Sequence, residues 1–189
     1  MRPLIKLAAA ILVLITAAAC STLGRPKGLV VDRLIEPAAP YAPESVAVLD
    51  FRVGDTYQGE GPRMGDIVAD AMAVLKYSKD IKRIQRFAAS PAEAAALAKE
   101  KGAQLAVYGT VDDLLYGGLT RPSRAMVTLF AVDVESKVVV WKLSGSLSEA
   151  PTEPSDRFFY TKYGESAPMP MLLARHVAKA LVEEMAVKH

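Results

Sequence analysis

Cys20 is the only thiol in the chain, and it stands directly behind three small residues, Ala17, Ala18 and Ala19. A thiolate can attack an electrophile, ligate a soft metal or carry a covalent group, and its surroundings decide among these. Upstream, Arg2 and Lys6 precede an uncharged run over residues 7–19. As a helix that run covers about 20 Å at roughly 1.5 Å per residue, too short for a bilayer that needs around 20 apolar residues. A positive start, a short apolar stretch and small residues before a break form an export signal. Cleavage ahead of Cys20 would leave one unpaired cysteine on an exported protein, where a free thiol is a liability. Acylation of Cys20 is the chemistry that fits. With two or more acyl chains, each buried CH₂ contributing about 0.8 kcal/mol, the anchor would be effectively permanent.

The segment "ITAAAC" ending at Cys20 is similar to a bacterial lipobox, with Ala17 where leucine is favoured. Ser21 follows the cysteine, in place of the Asp that would mean inner-membrane retention. The similarity implies a lipoprotein of the outer membrane whose folded part faces the periplasm.

No other group offers comparable chemistry. Asp112 and Asp113 are adjacent near a strand end. Neighbours on a strand point to opposite faces, so the two converge on one metal only if the strand breaks there. The two histidines are His176 and His189, and no HExxH, G-x-S-x-G or Cys/His ligand spacing accompanies them. Neither a catalytic role, a metal nor a cofactor is expected. Gly59, Gly61 and Gly65 give G-x-G-x-x-x-G, one residue longer than the dinucleotide fingerprint, and read as a turn before a helix. Lys76, Lys79, Lys82, Arg83 and Arg86 form the densest basic stretch, read as a solvated edge. The stretch "RFFYTKYG" carries Phe158, Phe159, Tyr160 and Tyr163. Exposed, these rings would anchor a protein partner; turned inward, they would form a lid over one end of the sheet.

These groups must be held by a domain that packs without disulfides. Removing residues 1–19 takes Arg2 and Lys6 away and leaves 21 basic residues against 21 acidic ones. A neutral mature chain removes the compositional case for nucleic acid. Residues 20–45 contain Pro26, Pro37, Pro40 and Pro43 and read as a lipidated terminus and tether, with "LVVDRLI" able to dock as a short strand or helix. A fully extended 25-residue tether would reach roughly 80 Å at about 3.3 Å per residue. Residues 46–189 read as one α/β (α+β) domain, a mixed sheet with packed helices in the order β-α-β-α-β-β-β-α. "VAVLDF" (46–51) opens it as a buried strand. In the first helix Ile67, Ala71, Val74 and Leu75 form the apolar stripe, with Val68 and Met72 beside it. Ser90, Pro91 and Glu93 start a second helix with a capping box, and Gly102 stops it. Two alternating runs meet in a hairpin turn at Glu135 and Ser136. Leu173, Val177, Ala180, Leu181 and Met185 form the inward stripe of the closing helix.

The succession "VAVLDF", glycine loop, amphipathic helix, "KGAQLAVYGTV" and "VTLFAVDVESKVVVWKLSG" resembles the CsgG/LpoB-like group of envelope lipoproteins. The resemblance spans most of residues 46–148, and glycine is replaced in the hairpin at Ser136-Lys137. Neither residues 52–65 nor 115–124 leave room for the long membrane hairpins of the pore-forming members, since a membrane strand takes about 9–11 residues. The resemblance implies a non-pore, non-catalytic accessory or assembly lipoprotein. The partners implied are peptidoglycan synthases, secretion or appendage apparatus, or further copies of the chain. The rival reading is a small-ligand or glycan binder using the 59–65 loop and the 157–163 aromatics.

Overall fold

The computed structural model describes residues 25–38, 41–157 and 160–186. Strands β1 (Val30–Ile35), β2 (Ser45–Val53), β3 (Asp80–Ile84), β4 (Leu105–Leu115), β5 (Ser123–Asp133) and β6 (Val139–Glu149) form one sheet in the order β1-β6-β5-β4-β2-β3. β2 runs parallel to both β3 and β4, and the remaining pairs are antiparallel. The helices are α1 (Gly61–Val74), α2 (Pro91–Glu100) and α3 (Pro170–Ala186), and a 3-10 turn (Asp55–Glu60) leads into α1. A short ribbon of β7 (Ser155–Arg157) and β8 (Tyr160–Lys162) precedes α3. The mixed α+β sheet expected from the sequence is present.

β2 shows why "VAVLDF" reads as a continuous apolar run. Val46, Val48 and Phe51 face α1 and α3, whereas Ala47 and Leu49 face α2. A strand covered on both sides has no polar alternation. On the first face Met64, Val68 and Met72 of α1 join Leu173, Val177, Leu181 and Met185 of α3 over Val107, Leu129, Trp141 and Leu143. On the second face α2 supplies Ala94, Ala95, Leu97 and Ala98 against Ala106, Tyr108 and Val132. The expected α3 stripe is buried throughout. The expected α1 stripe is displaced: Val74 is 81% exposed and Leu75 40% exposed. The buried line is Gly61, Met64, Gly65, Val68 and Met72. The helix rests on glycines, which a hydrophobicity pattern does not count.

Helix ends follow local chemistry. Ser90 Oγ accepts from the Glu93 amide at 3.2 Å, and Glu93 Oε2 accepts from the Ala89 amide at 2.8 Å. Gly102 ends α2 at φ +64°, with amide bonds from Ala103 to Ala98 O and from Gly102 to Lys99 O. Lys76 ends α1 in the same geometry at φ 53°, with Tyr77 donating to Met72 O and Lys76 to Ala73 O. The 135–136 turn forms as expected, with Lys137 at φ 60° in place of a glycine and Asp133 Oδ1 accepting from the Ser136 amide and hydroxyl.

Within the stretch read as a tether, "LVVDRLI" docks as a strand, one of the two options the sequence offered. Val30–Ile35 pairs antiparallel with β6, the Val30 and Asp32 positions opposite Ser146 and Ser144, with a bulge between Arg33 and Ile35. Folded structure thus starts ahead of Val46, and an 80 Å reach does not apply. The segment docks because Leu29 and Val31 pack on the main core. Arg33 also finds a carboxylate on α3, Glu184.

Candidate docking surface

Of the sequence-predicted site residues, the structure describes Tyr160 and Tyr163. Cys20, Phe158 and Phe159 lie outside the described residues. Tyr160 opens β8, and Tyr163, just past that strand, is 81% exposed. The ribbon's base is closed by a bridge between Thr152 and Glu165, reinforced by the Glu165 amide donating to Thr152 Oγ1 at 2.9 Å. The Ala167 amide donates to Gly118 O at 2.8 Å, joining this segment to the β4–β5 turn. That turn is tight: the Gly117 amide donates to Ser123 Oγ at 3.1 Å, and Gly118 adopts φ +66°.

These contacts gather apolar side chains that neither face of the sheet uses. Leu115 (50% exposed), Tyr116, Leu119 (72%), Tyr163, Met169 and Leu172 all stand in solvent at this end. Single exposed apolar residues are ordinary; six brought to one end of the sheet make that end a candidate interaction surface. Sequence reading found Tyr163 and passed over Leu119, Met169 and Leu172, because each sits alone in its own segment and only the fold joins them. Asp113 flanks the surface, accepting from Arg124 Nε at 2.8 Å and Nη2 at 2.5 Å.

The other candidate groups are committed to neighbours. The β4 bulge falls between Val111 and Asp113. Asp112 accepts from Thr110 Oγ1 at 2.6 Å and from Thr128 Oγ1 at 2.5 Å. His176 is exposed on α3, and His189 lies outside the described residues. Of the basic stretch, Arg83 is turned inward. It donates to Asp50 Oδ1 at 2.6 Å, Asp66 Oδ1 at 2.8 Å and the carbonyls of Val48, Ile84 and Pro62. Lys82 pairs with Asp80 and caps Lys101 O at the end of α2.

Two of the three loop glycines lie against protein, whereas Gly59 has open space around it. A Cβ on Gly61 would lie 2.3 Å from Phe51 O, and one on Gly65 would lie 2.2 Å from Arg83 Nη2 and 2.8 Å from Leu49 O. Gly61 and Gly65 let α1 settle onto β2, so at these two positions no ligand can approach the backbone from the sheet side. A cleft of about 640 Å³ opens between α2 and the β5–β6 turn, where Tyr41, Lys99, Gln104, Asp133 and Glu135 line it. Its best-placed polar groups satisfy each other: Tyr41 Oη donates to Asp133 Oδ2 at 2.6 Å. Burial, then that carboxylate, pushes the Tyr41 hydroxyl far above the usual tyrosine range. The Tyr41 bond, against the opposing effect of burial and with help from Ser136, holds Asp133 below the usual carboxylate range. Among the described residues no group of three or more His, Cys, Asp or Glu could hold a metal, and no helix is long and apolar enough to cross a membrane.

No protein-family model matches the chain, and no curated protein does. Solved structures do. A single-substitution variant of PelC from Paraburkholderia phytofirmans, a dodecamer, superposes with a TM-score of 0.60 at 19% identity, over 84% of this chain and 98% of that one. A second PelC dodecamer from the same organism gives 0.58 at 19% identity, over 85% of this chain and 97% of that one. The LpoB C-terminal domain from Escherichia coli, from the group the sequence resembles, matches at a TM-score of 0.33 and 15% identity, over 59% of this chain and 88% of that one. The chain shares its fold with PelC.

Proposed function

We propose that this chain is a lipid-anchored accessory or assembly lipoprotein of a bacterial cell-envelope machine, which acts by docking proteins and not by catalysis. Cys20 carries the lipid, the outer membrane holds it, and the domain works in the periplasm. The observation that carries the reading is the apolar end. Leu115, Tyr116, Leu119, Tyr163, Met169 and Leu172 are exposed at one end of a domain whose Asp112, Asp113, Gly61 and Gly65 are engaged elsewhere. The fold likeness to a protein that forms dodecamers supports copies of the chain as one partner. The glycan-binding alternative is weakened at Gly61 and Gly65, which lie against β2, while Gly59 and Tyr163 stay open to a ligand.

Photo-crosslinking in the native cell tests this. A crosslinking residue placed at Leu119 or Tyr163 should give one discrete adduct, with itself or with an envelope protein, and one placed at exposed Glu100 should not. Indiscriminate or absent adducts at both apolar positions refute a docking role for this end.

A further inference from the structure

Glu184 lies on α3 with its side chain only 8% exposed, and both of its oxygens are taken by arginines from the N-terminal segment. Arg33, on β1, donates to Oε2 through Nε at 3.0 Å and Nη2 at 2.5 Å. Arg25 donates to Oε1. An arginine fork on a carboxylate fixes orientation as well as distance. The chain is therefore held to the domain from Arg25 onward, five residues after Cys20.

That spacing limits where the domain can be. Five residues, even fully extended at about 3.6 Å each, span roughly 18 Å. The headgroup layer takes up roughly 5–8 Å of this on one side of the bilayer. What remains is about 10 Å, close to the Debye length of about 8 Å at physiological salt. The surface nearest Arg25 is the free edge of the sheet, where Val30 is 52%, Leu34 55% and Ile35 41% exposed, and Lys27 stands beside them. Asp32 is exposed between Val30 and Leu34 on the same side of the strand, and an exposed edge is normally covered or charged to prevent pairing with other chains.

We propose that the Glu184 clamp holds the β1 edge against the bilayer surface, with Val30, Leu34 and Ile35 meeting the headgroup layer. The proposal rests on acylation of Cys20. The sheet edge then faces lipid. Lys27 places a positive charge where anionic headgroups would attract it. Without the clamp the leash would lengthen to the start of β1 or beyond, and the edge could swing away.

The test uses the full-length acylated protein in vesicles of phosphatidylethanolamine and phosphatidylglycerol. Leu34→Cys, or Phe87→Cys beyond the opposite edge strand, is labelled with a fluorophore; acylation leaves the new thiol as the sole reactive one. A headgroup-attached nitroxide lipid should quench the label at position 34 at least threefold more than at 87. Arg25→Gln with Arg33→Gln should remove most of the difference. Arg25→Gln alone, which keeps the Arg33–Glu184 bond, should remove part of it, with folding verified by Trp141 emission. Equal quenching at both positions, or quenching indifferent to Arg25, overturns the proposal. So does concentration-dependent shielding of position 34 in detergent, which would mean a second copy covers the edge. Intact mass separates the failures: an unmodified Cys20 removes both the functional reading and this proposal, whereas acylated Cys20 with a remote β1 removes the proposal alone.

Discussion

Gly65→Ala provides a sharp test of how α1 is seated. In an open helix interior this change would stabilise by up to about 1 kcal/mol, because alanine is the better helix former. Here the new Cβ would lie 2.2 Å from Arg83 Nη2, 2.5 Å from its Cζ and 2.8 Å from Leu49 O. Moving the guanidinium aside breaks the Nη2 bonds to Asp50 and Pro62 O, both 2.6 Å. The Asp50 side chain is 6% exposed, so its carboxylate would lose its partner where water cannot replace it. Overpacking costs about 1–3 kcal/mol, and removing one partner of a buried pair about 3–5. Since the guanidinium can yield partly, Gly65→Ala should cost roughly 2–4 kcal/mol net. Arg83→Met should cost about 3–5 kcal/mol. Methionine is flexible and frees the space, so the double variant should fall short of the sum by about 1–3 kcal/mol. Urea unfolding of the non-acylated protein, followed by Trp141 fluorescence, measures all three. Additivity to within about 0.5 kcal/mol, or a neutral Gly65→Ala, would refute the claim that these two residues share one space.

Lys76→Gly and Lys137→Gly should each stabilise by a few tenths to about 1 kcal/mol, because both lysines hold φ values near +55–60° that glycine adopts without cost; thermal melts would show it, and a loss of stability at both would contradict the turn geometry. Acid should weaken the fold through Glu184 and Asp133. Burial opposes ionisation of Glu184, but its bonds from Arg33 and Arg25 prevail, and Tyr41 acts likewise on Asp133, so both folded carboxyls titrate below their ordinary values. Their stabilisation is complete above the usual carboxylate range and fades as pH falls below about 4 through the lowered folded values. Urea midpoints at pH 6 and pH 3 should therefore differ less in Glu184→Gln than in the parent.

What the sequence disclosed was mostly local. The Ser90–Glu93 cap, the Gly102 stop, the 135–136 hairpin turn and the α3 stripe each depend on residues a few positions apart, and each appears where expected. The start of α1 was hidden because Gly61 and Gly65 read as loop until a strand is known to lie 2.3–2.8 Å from their missing Cβ atoms. β1 was only one option among others, since prolines at 26 and 37 bracket it and its stabilising carboxylate is 151 residues away. The apolar end had the same difficulty, because its members come from the β4–β5 turn, the ribbon segment and α3. Tyr163 alone stood in a stretch dense enough in aromatics to draw notice.

The bonds from Arg25 and Arg33 to Glu184 close loops of 159 and 151 residues. A polypeptide leaves the ribosome in order, so the arginines emerge long before their carboxylate. During that interval β1 can already pair with β6, yet its lock is still missing. Folding thus finishes with a long-range closure, and a chain stalled before α3 emerges would carry a sheet whose first strand is unsecured.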